Sequence, residues 1–343
     1  MSAPVNEQTR KILVVRLSSL GDLIHTLPAV QALGSRFPRL SIHWLTSPPY
    51  RSFLEAADNI DKVWTIDFKK RTSGIRGIFA TIRMLRKEHF DSVLDFQGLI
   101  KSALPARLVC GRSTFGPGTA QAREKAASWF YTDRIQINQV RLHQIEYHLA
   151  LAFGGDTGIR PDPAIRLKIE DEKTKRIDRE LSRRLLVRPV LLNPGGGWST
   201  KRWAIERFAR LSRMIQTELQ VPTLLTYGPG EEDLIGKIKE LEPDFACFFP
   251  TDILELAYLC RQSRLMVAGD TGPMHLAVAM KTPVVAILGP ALAWRTGPYG
   301  SRNLSVTHST PCPHPYRRKC RDHFCMDIPV SEVFAKVKQI LYG

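Results

Sequence analysis

The 343-residue chain lacks any uninterrupted run of the ~18 apolar residues that a membrane-spanning helix requires. Its most apolar stretch, HLAVAMKTPVVAILGPALAW, is cut by Lys281, Pro283, Gly289 and Pro290. Any contact with a membrane is therefore expected from the side. The opening MSAPVNEQTRKILVV holds no long apolar region before a cleavage site, which argues against a secretory leader. A reducing cytosol with free thiols is the expectation. No Asp-x-Asp occurs, which argues against a carboxylate-held Mg²⁺ or Mn²⁺ on a nucleotide diphosphate. Neither the P-loop spacing nor G-x-G-x-x-G is present, and the six cysteines form no C-x-x-C pair. Acidic residues are scarce beside basic ones: 33 Asp and Glu against 49 Lys and Arg leave a net charge of +16. Nucleic acid, an anionic membrane surface and a polyanionic small substrate all fit that balance.

Short β-branched runs alternate with longer amphipathic stretches. ILVVRL reads as a buried strand and GDLIHTLPAVQALGSRF has helical spacing; SIHWLT and VWTID are strands. GIFATIRMLRKEHF is a helix with a basic face, and DSVLDFQG is the next strand. This βαβ alternation predicts a parallel sheet covered on both faces. Residues 155–188 are charged and rich in proline, so a linker is expected around 155–168, then a solvated helix. The pattern then restarts at PVLLNPGGG, and the tail PVSEVFAKVKQILYG reads as a helix capped by Ser331. Two similar α/β halves follow, with a ligand expected at the carboxyl ends of their strands, in a cleft.

KILVVRLSSLGDLIHTLP puts a carboxylate, Asp22, at a strand-to-helix turn of the kind that binds phosphate. An anion there would repel a phosphate, although the helix dipole stabilises it. The phosphate-type turns of the second half are different. In NPGGGWSTKRW the glycines, Gly196 and Gly197 among them, let a backbone approach a ligand, and Lys201 and Arg202 follow. This reads as a diphosphate cradle with a cationic arm. In VAGDTGPMHLAVA, the amides of Thr271 and Gly272 suit a phosphate and Asp270 suits sugar hydroxyls, with His275 one turn on. Helix capping by Asp270 or Thr271 is compatible with that use. In YGPGEED, Glu231 and Glu232 suit ribose hydroxyls, or simply an acidic first helical turn. The second half thus reads as a nucleotide-sugar donor domain. Charge on a departing diphosphate would be met by Lys201, amides and helix dipoles.

The first half offers Lys69, Lys70, Arg71 and Arg76, then Gln97 and Lys101, then Arg123 and Lys125. These suit an anionic partner or a solvated basic surface. Nucleic acid is disfavoured, because no aromatic platform interleaves the basic groups. CPHPYRRKCRDHFC spaces Cys312, Cys320 and Cys325 with His314 and His323, a set that zinc or iron would accept. Reduced thiols on a basic loop are the favoured reading, and no metal is assigned.

SSLGD, DFQGLIKSAL, TAQAREKAASWFY, PGGGWSTKRW and GDTGPMHLAVAMKTPVVAILGP with GPYG together resemble the ADP-heptose:lipopolysaccharide heptosyltransferases, glycosyltransferase family 9. The resemblance runs from about Lys11 to Leu341 and is nearer heptosyltransferase I than II. It implies an α/β GT-B fold of two Rossmann-like domains with a central cleft. Residues 1–165 would bind the acceptor and 166–325 the ADP-sugar, and 326–343 would form a helix returning to the first domain. It implies metal-independent inversion without a cofactor, moving heptose from ADP-heptose to the Kdo of Kdo₂-lipid A. The enzyme would be cytoplasmic, at the anionic inner face of the inner membrane. Carried over by residue, Asp22 matches the general base and Lys201 the donor-phosphate lysine. Gly196, Gly197, Asp270, Thr271, Gly272 and His275 fall on the donor side, with Glu231 or Glu232 as the ribose-binding acid. Ser19, Gly21, Gln97, Arg123 and the Lys69, Lys70, Arg71 cluster fall on the acceptor side. The glycines of PGGGW stand where heptosyltransferase I can carry threonines. A heptosyltransferase II-like or other family 9 transferase, or a non-catalytic nucleotide-sugar-binding protein, are the alternatives.

Overall fold

Every residue of β1 (Lys11–Val15) after the first is buried, as a strand covered on both faces requires. The computed structural model describes residues 3–68, 74–109, 113–139, 141–155, 158–321 and 323–343. The chain divides into two units, Met1–Lys168 and Ile169–Gly343.

In the first unit, β1 is joined by β2 (Ser41–Thr46), β3 (Lys62–Thr65), β4 (Ser92–Asp95), β5 (Thr114–Pro117) and β6 (Asp133–Ile135). They form one parallel sheet in the order β3-β2-β1-β4-β5-β6. Leu13 and Val15 point to one face, where they meet Ile82, Leu85, Ala106 and Val109 from the helices Gly74–Arg86 and Ile100–Val109. The strand order reverses between β1 and β4. Ligands of such sheets gather at that reversal, outside the strand carboxyl ends.

The second unit repeats the plan with β7 (Val190–Asn193), β8 (Thr223–Leu225), β9 (Leu265–Gly269), β10 (Val284–Ile287) and β11 (Leu304–Val306). The order is β11-β10-β9-β7-β8, all parallel, with the reversal between β9 and β7. Val190, Leu192, Val267 and Ile287 pack on Phe208, Leu211 and Ile215 of the helix Ile205–Leu219.

Two expectations need adjusting. The linker around 155–168 is tied down at its end: Leu167 pairs antiparallel with Ala57, and Lys168 N–H donates to Ala56 O. Backbone bonding there offsets the cost of ordering a charged segment. The terminal helix, Val330–Tyr342, has Pro329 and not Ser331 as its N-cap, because the Pro329 carbonyl opens the ladder by accepting from Glu332 N–H. That helix packs on Ile205–Leu219, β10 and β11 of the second unit, burying Val333, Phe334 and Val337. Among the described residues, no helix is long and apolar enough to cross a membrane.

Candidate active site

In the first unit the reversal point holds a buried charge network. Asp22 is the third residue of the helix Leu20–Arg36, capped by Ser19. Its Oδ2 accepts from Ser19 N–H at 3.0 Å and from Ser19 Oγ at 3.2 Å. Its Oδ1 lies 2.7 Å from Arg16 Nη2 and 3.3 Å from Arg123 Nη2. Burial pushes the Asp22 carboxyl up, but Arg16, Arg123 and the Ser19 N–H outweigh it and hold it well below the usual range. Asp22 is therefore a carboxylate at neutral pH.

Arg16 is buried at the end of β1, where its Nη1 also donates to Phe96 O. Behind it sits Asp95, which accepts from Gln97 N–H, Ser102 Oγ and Tyr131 OH, each at 2.8 Å. Burial outweighs these donors and raises the Asp95 carboxyl. Arg123 is carried on the segment after β5. Gly98 makes room for it: a Cβ there would lie 3.2 Å from Arg123 N, and its φ of +66° suits glycine.

His148 backs the network, 3.2 Å from Thr26 Oγ1 and edge-on to Phe96. Burial, then the charge of Arg16, lowers it to about 3. The unfolded chain binds a proton there near pH 6.5 and the folded chain does not, so folded stability falls as pH drops below about 6.5. Between pH 7 and 5 this amounts to about 2 kcal/mol, at ~1.4 kcal/mol per pH unit below the unfolded value. Melts of wild type and His148→Gln at the two pH values check it. The variant should lose less stability on acidification, and equal losses would refute the assignment.

In the second unit the turns after β7 and β9 meet. Lys201 Nζ pairs with Asp270 Oδ2, and both side chains are nearly buried. Asp270 Oδ1 lies 3.3 Å from His275 Nε2, and Thr296 Oγ1 donates to Oδ2 at 3.4 Å. Burial pushes Asp270 up, but His275 and Lys201 prevail and hold it below its ordinary value. Lys201 Nζ also stands 4.4 Å over the Trp198 ring and 5.5 Å from the Tyr316 ring. Thr271 caps the helix Gly272–Ala279, accepting from Met274 N–H. The first N–H groups of such a helix have no intrahelical partner and suit an anion.

Glu231 is turned inward, linking the turns after β7 and β8: it accepts from Gly196 N–H at 3.1 Å and Gly228 N–H at 2.8 Å. Gly196 therefore serves a carboxylate and not an open cradle, while Gly197 and Glu232 are exposed. Gln97 is buried, its Oε1 accepting from Leu17 N–H at 2.7 Å, so it ties the end of β4 to the end of β1. Gly21 lies half-buried in the first turn of Leu20–Arg36, and Ser19 is exposed. Lys69, Lys70 and Arg71 lie outside the described residues. Cys312 and Cys325 are free thiols, and burial with the neighbouring Cys312 raises Cys325 to about 11. Among the described residues, no set of three or more His, Cys, Asp or Glu is arranged to hold a metal ion.

Sequence reasoning missed Arg16, Asp95, Tyr131 and His148 in the first unit, and Thr296 and Tyr316 in the second. Arg16 did leave a signal: a lone arginine closing an apolar strand, where an unpaired charge would be costly.

Two doubly wound parallel units, each with one reversal of strand order, give the chain the GT-B fold of its structural neighbours. The chain belongs to glycosyltransferase family 9 (heptosyltransferase), whose model matches residues 78–324. The turn bearing Asp22 lies outside that match. Lipopolysaccharide heptosyltransferase 1 of Campylobacter coli is 26% identical over 303 residues, 83% of this chain and 85% of the relative. Among solved structures, glycosyl transferase family 9 from Veillonella parvula superposes with a TM-score of 0.77 at 21% identity, covering 88% of this chain and 87% of that one. E. coli heptosyltransferase WaaC with ADP-2-deoxy-2-fluoro heptose gives 0.70 at 21% identity, covering 86% and 92%.

Proposed function

We propose that the enzyme transfers heptose from ADP-heptose to the Kdo of Kdo₂-lipid A, inverting the anomeric centre, with Asp22 as general base. The observation that carries this is the different group each turn sets at a helix N-terminus: a carboxylate in the first unit, and a lysine ammonium beside the first N–H groups of Gly272–Ala279 in the second. Asp22 is an ionised carboxylate at a helix N-terminus; Lys201, beside the N-terminus of Gly272–Ala279, is a cation where a diphosphate would sit. The names of the relatives supply the donor and the acceptor class. In the reaction Asp22 takes the proton from the acceptor hydroxyl as its oxygen bonds to the anomeric carbon. The bond from that carbon to the phosphate oxygen breaks, and its electron pair leaves with ADP toward Lys201. Glu231 is the ribose-binding acid of this reading, its position set by the Gly196 and Gly228 amides. Incubation with ADP-heptose and Kdo₂-lipid A, followed by mass spectrometry, should show one added heptose. Product only on an acceptor already carrying a heptose would assign the second transfer instead.

A Cβ on Gly195 would stand 2.3 Å from Glu231 Oε1. The obstructing atom is the tip of a side chain, so the fold yields and Glu231 swings off its amides. Gly195→Ala should weaken ADP binding roughly tenfold, about 1.4 kcal/mol, with little change in Tm. Calorimetry and melting curves measure both.

The acceptor lies in a membrane, and the first unit has a face suited to one. The mutually packed helices Gly74–Arg86 and Ile100–Val109 and the turn Lys125–Phe130 expose Phe79, Met84, Leu104 and Trp129, the last 74% exposed. Arg76, Arg83, Arg86 and Lys101 are exposed on the same elements. Apolar groups flanked by bases fit an anionic lipid surface. Phe79→Ser with Trp129→Ser should lower sedimentation with phosphatidylglycerol vesicles several-fold. Unchanged sedimentation would assign the face to another partner.

A further inference from the structure

Three hydrogen bonds and one ion pair crowd the Asp22 carboxylate: Arg123 Nη2, Ser19 N–H and Ser19 Oγ donate to it, while Arg16 Nη2 faces it as a counter-charge without a hydrogen bond. Arg16 Nη2, Arg123 Nη2, Ser19 N–H and Ser19 Oγ meet Asp22 at 2.7, 3.3, 3.0 and 3.2 Å. A base must offer a lone pair within ~2.6–3.2 Å of the hydroxyl it deprotonates. Oδ2 takes both Ser19 donors and Arg123 donates to Oδ1, so an acceptor hydroxyl approaching Oδ1 competes with Arg123.

The four are not equally free to go. Arg16 is 2% exposed and is also fixed to Phe96 O. The Ser19 N–H belongs to the helix cap. Arg123 makes the longest contact, comes from a separate segment and is 48% exposed. The Ser19 hydroxyl can rotate away, but it carries no charge and its departure would change the proton affinity of Asp22 little.

We propose that Arg123 is an exchangeable partner of Asp22, drawn off by an anionic group of the acceptor, which frees the carboxylate to receive the acceptor's proton. This rests on Asp22 being the base. The groups facing Asp22 are Arg16, Arg123, His148 and Tyr50, and Asp95 faces Arg16 from behind. Burial disfavours charge on both His148 and Tyr50, so the two guanidiniums set how strongly Asp22 holds a proton. Removing one makes it a better base. Without an acceptor, Arg123 blocks Asp22 and water at the site is not activated, so the donor is spared hydrolysis. Arg123 is a positioning residue that also selects anionic acceptors.

Two measurements on the full-length protein test this. With Asp22 labelled at its carboxyl carbon and observed by NMR at pH 7, Arg123→Gln should move the signal. Free Kdo or inorganic phosphate added to wild type should move it the same way, and the probe that does so identifies carboxylate or phosphate as the displacing group. A signal that moves in Ser19→Ala but with neither probe nor Arg123→Gln would overturn the proposal. ADP release from ADP-heptose without acceptor should rise several-fold in Arg123→Gln while transfer to Kdo₂-lipid A falls. Equal falls in both would make Arg123 merely an acceptor contact and overturn the exchange. The NMR result does not depend on transfer, so failure of wild type to glycosylate Kdo₂-lipid A would count against the proposed function alone.

Discussion

Asp22→Asn is expected to lower heptose transfer by ~10²–10⁴-fold, the usual contribution of a positioned base. ADP binding should stay close to wild type, because the diphosphate is assigned to the turns after β7 and β9. The amide keeps the shape of the side chain and still accepts from Ser19, but it cannot take up the acceptor's proton. It also leaves Arg16 buried without its nearest counter-charge. Loss of one member of a buried pair typically costs ~3–5 kcal/mol, so a lower Tm accompanies the lost activity. Asp22→Glu separates the two effects: it restores the charge but displaces the oxygen, so stability should recover more than rate. Steady-state kinetics with melting curves would check both. Transfer at the wild-type rate in Asp22→Asn would exclude Asp22 as the base.

Lys201→Met should lower kcat by ~10²–10³-fold, the cost of removing one preorganised group that meets charge developing on a leaving oxygen. Methionine keeps much of the apolar stem that lies over Trp198 but removes the ammonium facing Asp270. Asp270 is left nearly buried with His275 and Thr296 as partners, so some stability is lost as well. Lys201→Arg would retain the charge with a longer, planar head and should recover stability more fully than rate. A kcat unchanged in Lys201→Met would place the diphosphate charge elsewhere.

The α/β plan was legible because buried parallel strands are near-continuous apolar runs. SIHWLT is β2, Ser41–Thr46, residue for residue. TFGP and DRI, which form β5 and β6, were not legible: they are three or four residues long and carry Gly, Pro or charge. Their pairing is set by the sheet and not by their own propensity. The candidate site divides in the same way. Turns that need glycine or a short polar residue announce themselves locally, and Asp22, Lys201 and Asp270 were found through them. What each side chain touches is a tertiary matter. Arg123 reaches Asp22 across 101 positions, and Glu231 reaches Gly196 across 35. Spacing along the chain carries no record of either contact, so the sequence did not show that Glu231 turns inward while Glu232 stays exposed.

Calorimetric titration of ADP into wild type, Asp22→Asn and Lys201→Met tests the division of labour between the two turns most directly. Near-equal affinity is expected for wild type and Asp22→Asn, and clearly weaker binding for Lys201→Met. Loss of ADP binding in Asp22→Asn with retention in Lys201→Met would contradict it, placing the diphosphate at the SSLGD turn.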